Sequence, residues 1–182
     1  MKIAIFGGTF DPIHKGHLNI ILNLFNKLNI DKVIIVPTNV KYYKKNNLLF
    51  NYDERIAQCK KAISINNQFD NLDIEISEIE RNIPDYEGYA YTVERVFEKY
   101  NGHDIYTVIG SDSYNYINTW RRYERILELS KLIVVTRPGS VIDSNMNIEY
   151  IPLLMNVDIS STEIRNKITK EEGFSIIDSW KL

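Results

Sequence analysis

The sequence predicts an α/β fold, doubly wound in a single domain around a mainly parallel sheet, and three observations carry that prediction. Apolar runs rich in Ile and Val recur at "KIAIF", "KVIIVP", "LDIEISEI", "DIYTVIG", "KLIVVTRPG" and "IEYIPL". Helical patterns separate most of these runs, and alternating strands and helices imply right-handed crossovers between parallel strands. The length, 182 residues, suits one domain spanning 1–182, and 44% apolar residues suffice to fill its core.

Each element follows in order. Ile3, Ala4, Ile5 and Phe6 read as a buried strand that Gly7 and Gly8 halt in a tight turn, where glycine lets backbone come close to something. The stretch "GHLNIILNLFNKLN" spaces Leu18, Ile21, Leu22, Phe25 and Leu28 at helical intervals, predicting a helix over 16–29. Four further helices are expected over about 53–66, 92–100, 121–130 and 161–169, each after one of the later strands. The Asn- and Lys-rich stretches "YYKKNN", "SINNQFDN" and "DSNMN" fall between periodic segments and read as solvated loops, and no internal repeat is visible.

Composition removes several classes of function. A formal charge of -2, with both signs scattered, offers no general basic field for nucleic acid. The lone cysteine, Cys59, has no disulfide partner and falls with Ile56 and Ile63 in a helical pattern, as a buried or half-buried thiol would. The chain enters its first strand at once, with no long apolar segment or cleavage site, so a cytoplasmic protein with no membrane contact is expected.

In doubly wound sheets, ligands collect at the carboxyl ends of the strands near the point where strand order reverses. The strand-end motifs are "GGTFDPIHKGH", "PTNVKYYKK", "GSDS", "TRPG" and "DISSTEIR". The first lacks both the G-x-G-x-x-G spacing and the G-x-x-x-x-G-K-[ST] loop, so neither common phosphate loop is present. Two of the three histidines, His14 and His17, lie three apart where strand hands over to helix, and free amides and the helix dipole make that junction a good anion site. As imidazolium they could donate to phosphate oxygens, the alternative being a capping histidine and a surface one. Zinc is not expected, since His103 is distant and Cys59 belongs to a core face. Asp11, just before Pro12, reads as a turn cap.

In "DISSTEIRNKI", Ser160 and Glu163 have capping-box spacing. Ser161 and Thr162 then bring hydroxyls and amides into the first turn, with Arg165 one turn on, an arrangement that could hold a polyphosphate or simply make a good cap.

Together, "GGTFDPIHKGH" and "ISSTEIR" resemble the two signature motifs of the class I nucleotidyltransferases with an HxGH sequence. The text between them is most similar to bacterial nicotinate mononucleotide adenylyltransferases: "GSDSYNYINTWRRYERIL", "GYAYT" and "VVTRPG" all have counterparts there, and the resemblance runs to about Ile168. The resemblance implies a Rossmann-like fold and adenylyl transfer, with the phosphate of nicotinate mononucleotide attacking the α-phosphorus of ATP and no covalent intermediate. It implies that His14, His17, Lys44 and Arg165 act in catalysis. By the same likeness Gly7, Gly8, Thr9, Phe10, Ser161 and Thr162 join His14, His17 and Arg165 around ATP, with Ser161, Thr162 and Arg165 on its β and γ phosphates. Thr92, Asp112, Trp120 and Lys44 would meet the acceptor. Each of the first three also has a plain reading: Thr92 as the N-cap of "VERVFEKY", Asp112 as a turn cap and Trp120 as core filler. No dedicated carboxylate cage is visible, so Mg2+ is expected to arrive with ATP.

Some positions depart from the family pattern. The loop after the second strand lacks two later prolines and has Tyr43 in place of a histidine, while Lys44 still aligns. Lys41, Lys44 and Lys45 read either as a solvated loop or as a mobile phosphate lid. The segment "TKEEGFSIIDSWKL" lacks the family's usual tail. Nicotinamide mononucleotide or another phosphorylated acceptor therefore stays open, as does a non-catalytic nucleotide-binding module. The tyrosines at 86, 89, 91, 114 and 116 could serve the core or the interface of a homo-oligomer.

Overall fold

In the computed structural model, β1 (Lys2–Gly8) runs through the centre of a six-stranded sheet whose order is β3-β2-β1-β4-β5-β6, with every neighbouring pair parallel. Residues 1–39, 48–84, 87–156, 160–169 and 176–182 are described. Lys41, Tyr43, Lys44, Lys45 and Tyr86 lie outside them.

Alternation along β1 explains its place. Ile3 and Ile5 enter one core while Ala4 and Phe6 enter the other, so both faces of the strand are buried. Helices α1 (Lys15–Leu28) and α2 (Tyr52–Ser64) cover one face, with Leu18, Ile21 and Leu24 of α1 and Cys59 and Ala62 of α2 in that core. Helices α3 (Tyr89–Lys99) and α5 (Tyr123–Leu129) cover the other, with α4 (Ser111–Tyr114) between them in sequence. Burial pushes the Cys59 thiol up to about 12, in keeping with an inert core residue.

Strands β2 (Lys32–Pro37) and β3 (Asp73–Ile76) lie to one side of β1, and β4 (Asp104–Gly110), β5 (Lys131–Thr136) and β6 (Tyr150–Leu154) to the other. The order reverses between β1 and β4, so the crevice at their carboxyl ends is the expected ligand position. Helix α6 (Ser161–Thr169) follows β6 and begins at that edge.

Three boundaries differ from expectation. Strand β3 stops at Ile76, because turns closed by Arg81 N–H to Glu78 O and Ile83 N–H to Glu80 O fold the chain back and turn the Glu80 side chain inward. Helix α3 starts three residues early, at Tyr89, because Gly88 takes the N-cap position at φ 66°. Thr92 is therefore inside the helix and is not its N-cap. Helix α5 begins two residues late, after Arg122 in a left-handed conformation at φ 57°.

Candidate active site

The turn after β1 is shaped by two rings. A Cβ on Gly7 would lie 2.5 Å from Cε2 of Tyr89, and one on Gly8 would lie 3.0 Å from the Phe10 ring, so the glycines admit these aromatics against the strand end. Phe10 itself has φ 47° and is buried, its ring edge-on to Phe6 at 5.4 Å and to His17 at 5.0 Å. Its side chain belongs to the core and backs His17, so of Phe10 the backbone is what the turn presents.

His14 and His17 form a reciprocal cap at the start of α1. His14 Nδ1 accepts the Gly16 amide at 3.1 Å, and His17 Nδ1 accepts the His14 amide at 3.2 Å. The rings lie 3.8 Å apart, centroid to centroid. An Nδ1 that accepts is unprotonated, so the proton of each neutral ring sits on Nε2. Burial first, and then the nearby charge of Arg137, lower the pKa of His14 to about 4, against an opposing contribution from Glu163. Burial, His14 and Arg137 hold His17 well below its ordinary value. With both Nδ1 atoms engaged, each ring has its Nε2–H left to donate.

Helix α6 docks on the same turn. Ser160 and Glu163 form the expected capping box, the Glu163 amide donating to Ser160 Oγ at 3.2 Å and the Ser160 amide to Glu163 Oε2 at 3.1 Å. Ser161 Oγ donates to the Pro12 carbonyl at 3.2 Å, and Arg165 Nη1 to the Asp11 carbonyl at 2.7 Å. Arg165 Nη2 also reaches Thr162 Oγ1 at 3.1 Å. His14, His17, Ser161, Thr162 and Arg165 are therefore brought together, with Gly7, Gly8 and Thr9 at the adjoining strand end. Asp11 does more than cap its own turn. Its buried carboxylate accepts the amides of Leu49 and Phe50 at 3.0 and 2.9 Å, tying the approach to α2 onto the histidine turn.

Of the acceptor candidates, Trp120 and Thr92 lie at the start of α3, and Lys44 lies outside the described residues. Trp120 is half-buried, its ring edge-on to Tyr89 at 5.8 Å. Asp112 is exposed in the first turn of α4, just beyond β4. Thr92 is fully buried, and its hydroxyl donates to Glu80 Oε1 at 2.7 Å. The other Glu80 oxygen accepts the Asn39 amide at 2.9 Å, so one buried carboxylate joins the end of β2 to α3. Gly88 supplies no side-chain cap; the Tyr91 amide donates to its carbonyl at 3.2 Å, while the amides of Tyr89 and Ala90 have no intrahelical acceptor.

Three of these groups escape the sequence reading. Arg55 is buried in α2, its Nη1 donating to the carbonyls of Thr9 at 2.6 Å and Thr38 at 2.9 Å. The signal was an arginine one turn before Cys59 on an otherwise apolar face. Glu80 looked like one more charge in "EIERN", and nothing local marks it as buried. Arg137 stands in "TRPG", where Pro138 and Gly139 at φ 81° make a tight turn closed by the Ser140 amide on the Arg137 carbonyl at 2.9 Å. Among the described residues, no group of three or more His, Cys, Asp or Glu is placed to hold a metal ion.

A family model described as cytidylyltransferase-like matches residues 5–167. A curated relative from Fusobacterium nucleatum, named "Probable nicotinate-nucleotide adenylyltransferase", is 37% identical over 96% of this chain and 91% of its own. The chain belongs to the nicotinate-nucleotide adenylyltransferase family. A member of that name from Clostridium tetani is 36% identical over 94% of this chain and 88% of its own. A solved structure of Plasmodium falciparum nicotinic acid mononucleotide adenylyltransferase complexed with NaAD has a TM-score of 0.76 and 21% identity, covering 93% of this chain and 85% of that one, and shows the shared fold. No helix among the described residues is long and apolar enough to cross a membrane.

Proposed function

We propose that this enzyme transfers the adenylyl group of ATP to nicotinate mononucleotide, giving nicotinate adenine dinucleotide and pyrophosphate in NAD biosynthesis. The observation that carries the reading is the docking of α6 on the histidine turn, Arg165 Nη1 on the Asp11 carbonyl and Ser161 Oγ on the Pro12 carbonyl. That contact supports the reading because it joins the histidine turn and the start of α6 at the switch point of the sheet, where both would meet phosphate.

The acceptor phosphate is already a nucleophile, so the work of the site is alignment and charge neutralisation. His14 and His17 donate from Nε2 to the ATP phosphates, and Arg165 with Ser161 and Thr162 holds the β and γ phosphates. Arg137 adds positive charge beside the imidazoles. Lys44 retains its expected phosphate role as a proposal. Magnesium, carried in by ATP, would neutralise polyphosphate charge. Asp11 is engaged by Leu49 and Phe50, and no step depends on a cage built from the described residues.

On the acceptor side, Trp120 offers a face for the pyridine ring. The Thr92 hydroxyl is committed to Glu80, so recognition of the nicotinate carboxylate falls to the first amides of α3, where the helix dipole favours an anion over a neutral amide. Asp112 would take the ribose. The test compares product formation, by mass, from ATP with nicotinate or nicotinamide mononucleotide at equal concentration. Preferential formation of the nicotinate dinucleotide supports the reading, and preference for the amide overturns the acceptor assignment.

A further inference from the structure

The three carbonyls that precede His14 are each taken by a side chain from the last part of the chain. Asp11 O accepts from Arg165 Nη1 and Pro12 O from Ser161 Oγ, and Ile13 O accepts from Trp180 Nε1 at 2.9 Å. The first two donors belong to the proposed triphosphate clamp. Trp180 does not. It is 3% exposed, packs in the same core as Ile13 and Leu18, and its own carbonyl accepts from Asn66 Nδ2 at 2.9 Å.

The Ile13 carbonyl and the His14 amide are two sides of one planar peptide group. Trp180 holds the oxygen of that group, and His17 Nδ1 holds its N–H at 3.2 Å. Rotation of the plane would release both. The geometry points to Trp180 as a positioning residue for adenylyl transfer: through the Ile13–His14 peptide it sets the orientation and tautomer of the His17 ring. The inference rests on the adenylyl-transfer reading for its kinetic consequence. A buried indole N–H needs a partner, and here the partner lies one residue from the histidine pair. The segment "IIDSW", which does not follow the family's usual tail, thereby acquires a task at the active site.

The test replaces Trp180 with Phe and, at the same position, with benzothienylalanine, an isostere that keeps the fused ring and lacks the N–H. Both variants should lower kcat between about 10-fold and 100-fold, since small misplacements at a reacting centre carry such losses. KM for nicotinate mononucleotide should stay within about twofold, because the acceptor contacts are intact. In the isostere variant the imidazole 15N signals of His14 and His17 should move while those of His103 stay. Wild-type kcat with unmoved histidine signals in the isostere variant would overturn the proposal. If the histidine signals move but the unsubstituted protein does not turn over nicotinate mononucleotide, the positioning role stands and the substrate assignment fails.

Discussion

His17 Nδ1 accepts the backbone N–H of His14 at 3.2 Å, so the peptide of the first histidine decides which nitrogen of the second carries a proton. With both Nδ1 atoms engaged, neither ring has a free lone pair for attack on phosphorus. Each can donate and neither is poised as a nucleophile.

The pH dependence follows from this pairing. Both histidines have folded pKa values below 6.5, His14 at about 4, so the unfolded chain binds protons that the folded chain refuses. The contribution of the histidines to stability should be constant above pH 6.5 and fall as pH drops from 6.5 toward 4, by roughly 3 kcal/mol from His14 alone. Melting temperature measured across that range checks the sign. The value of kcat/KM for ATP should likewise hold above pH 6.5, where imidazolium donors would be lost.

Glu80 is expected to govern the acceptor side. In Glu80→Ala the Thr92 hydroxyl and the Asn39 amide both lose their acceptor. KM for nicotinate mononucleotide should rise about tenfold, equivalent to roughly one lost hydrogen bond, with KM for ATP little changed. Steady-state kinetics with each substrate varied in turn separates the two.

Gly7→Ala should destabilise the fold by about 1–3 kcal/mol, since its Cβ would sit 2.5 Å from the Tyr89 ring. Tyr89→Leu in the same chain should remove most of that cost. Denaturant midpoints for the two single variants and the double variant form the cycle that measures the coupling.

Arg55→Met keeps the length of the side chain and removes the donors that bind the carbonyls of Thr9 and Thr38. The expected loss is about 2–4 kcal/mol, or a fall in Tm of roughly 5–15 °C for a chain of this size. An unchanged Tm would show that water replaces the guanidinium there.

The sheet was legible because Ile- and Val-rich runs and helical spacing both repeat along the chain, and α6 was legible because Ser160 and Glu163 announce a cap. Motif spacing likewise placed His14 and His17 at a helix start. Their charge state was not legible, since it depends on burial and on Arg137, more than a hundred positions away. Glu80 and Trp180 were missed for the same reason: each takes its meaning from partners, Asn39 with Thr92 and Ile13, that only the folded chain brings near. The plain reading of Thr92 as an N-cap fails because Gly88 in a left-handed conformation starts the helix three residues sooner.

The central claim is that the histidines donate hydrogen bonds while the acceptor attacks the α-phosphorus directly. Its most direct test is the stereochemical course with ATP chirally labelled by sulfur at the α-phosphorus. One in-line displacement predicts inversion of configuration in the dinucleotide product. Retention would require two displacements through a covalent intermediate and would contradict the account.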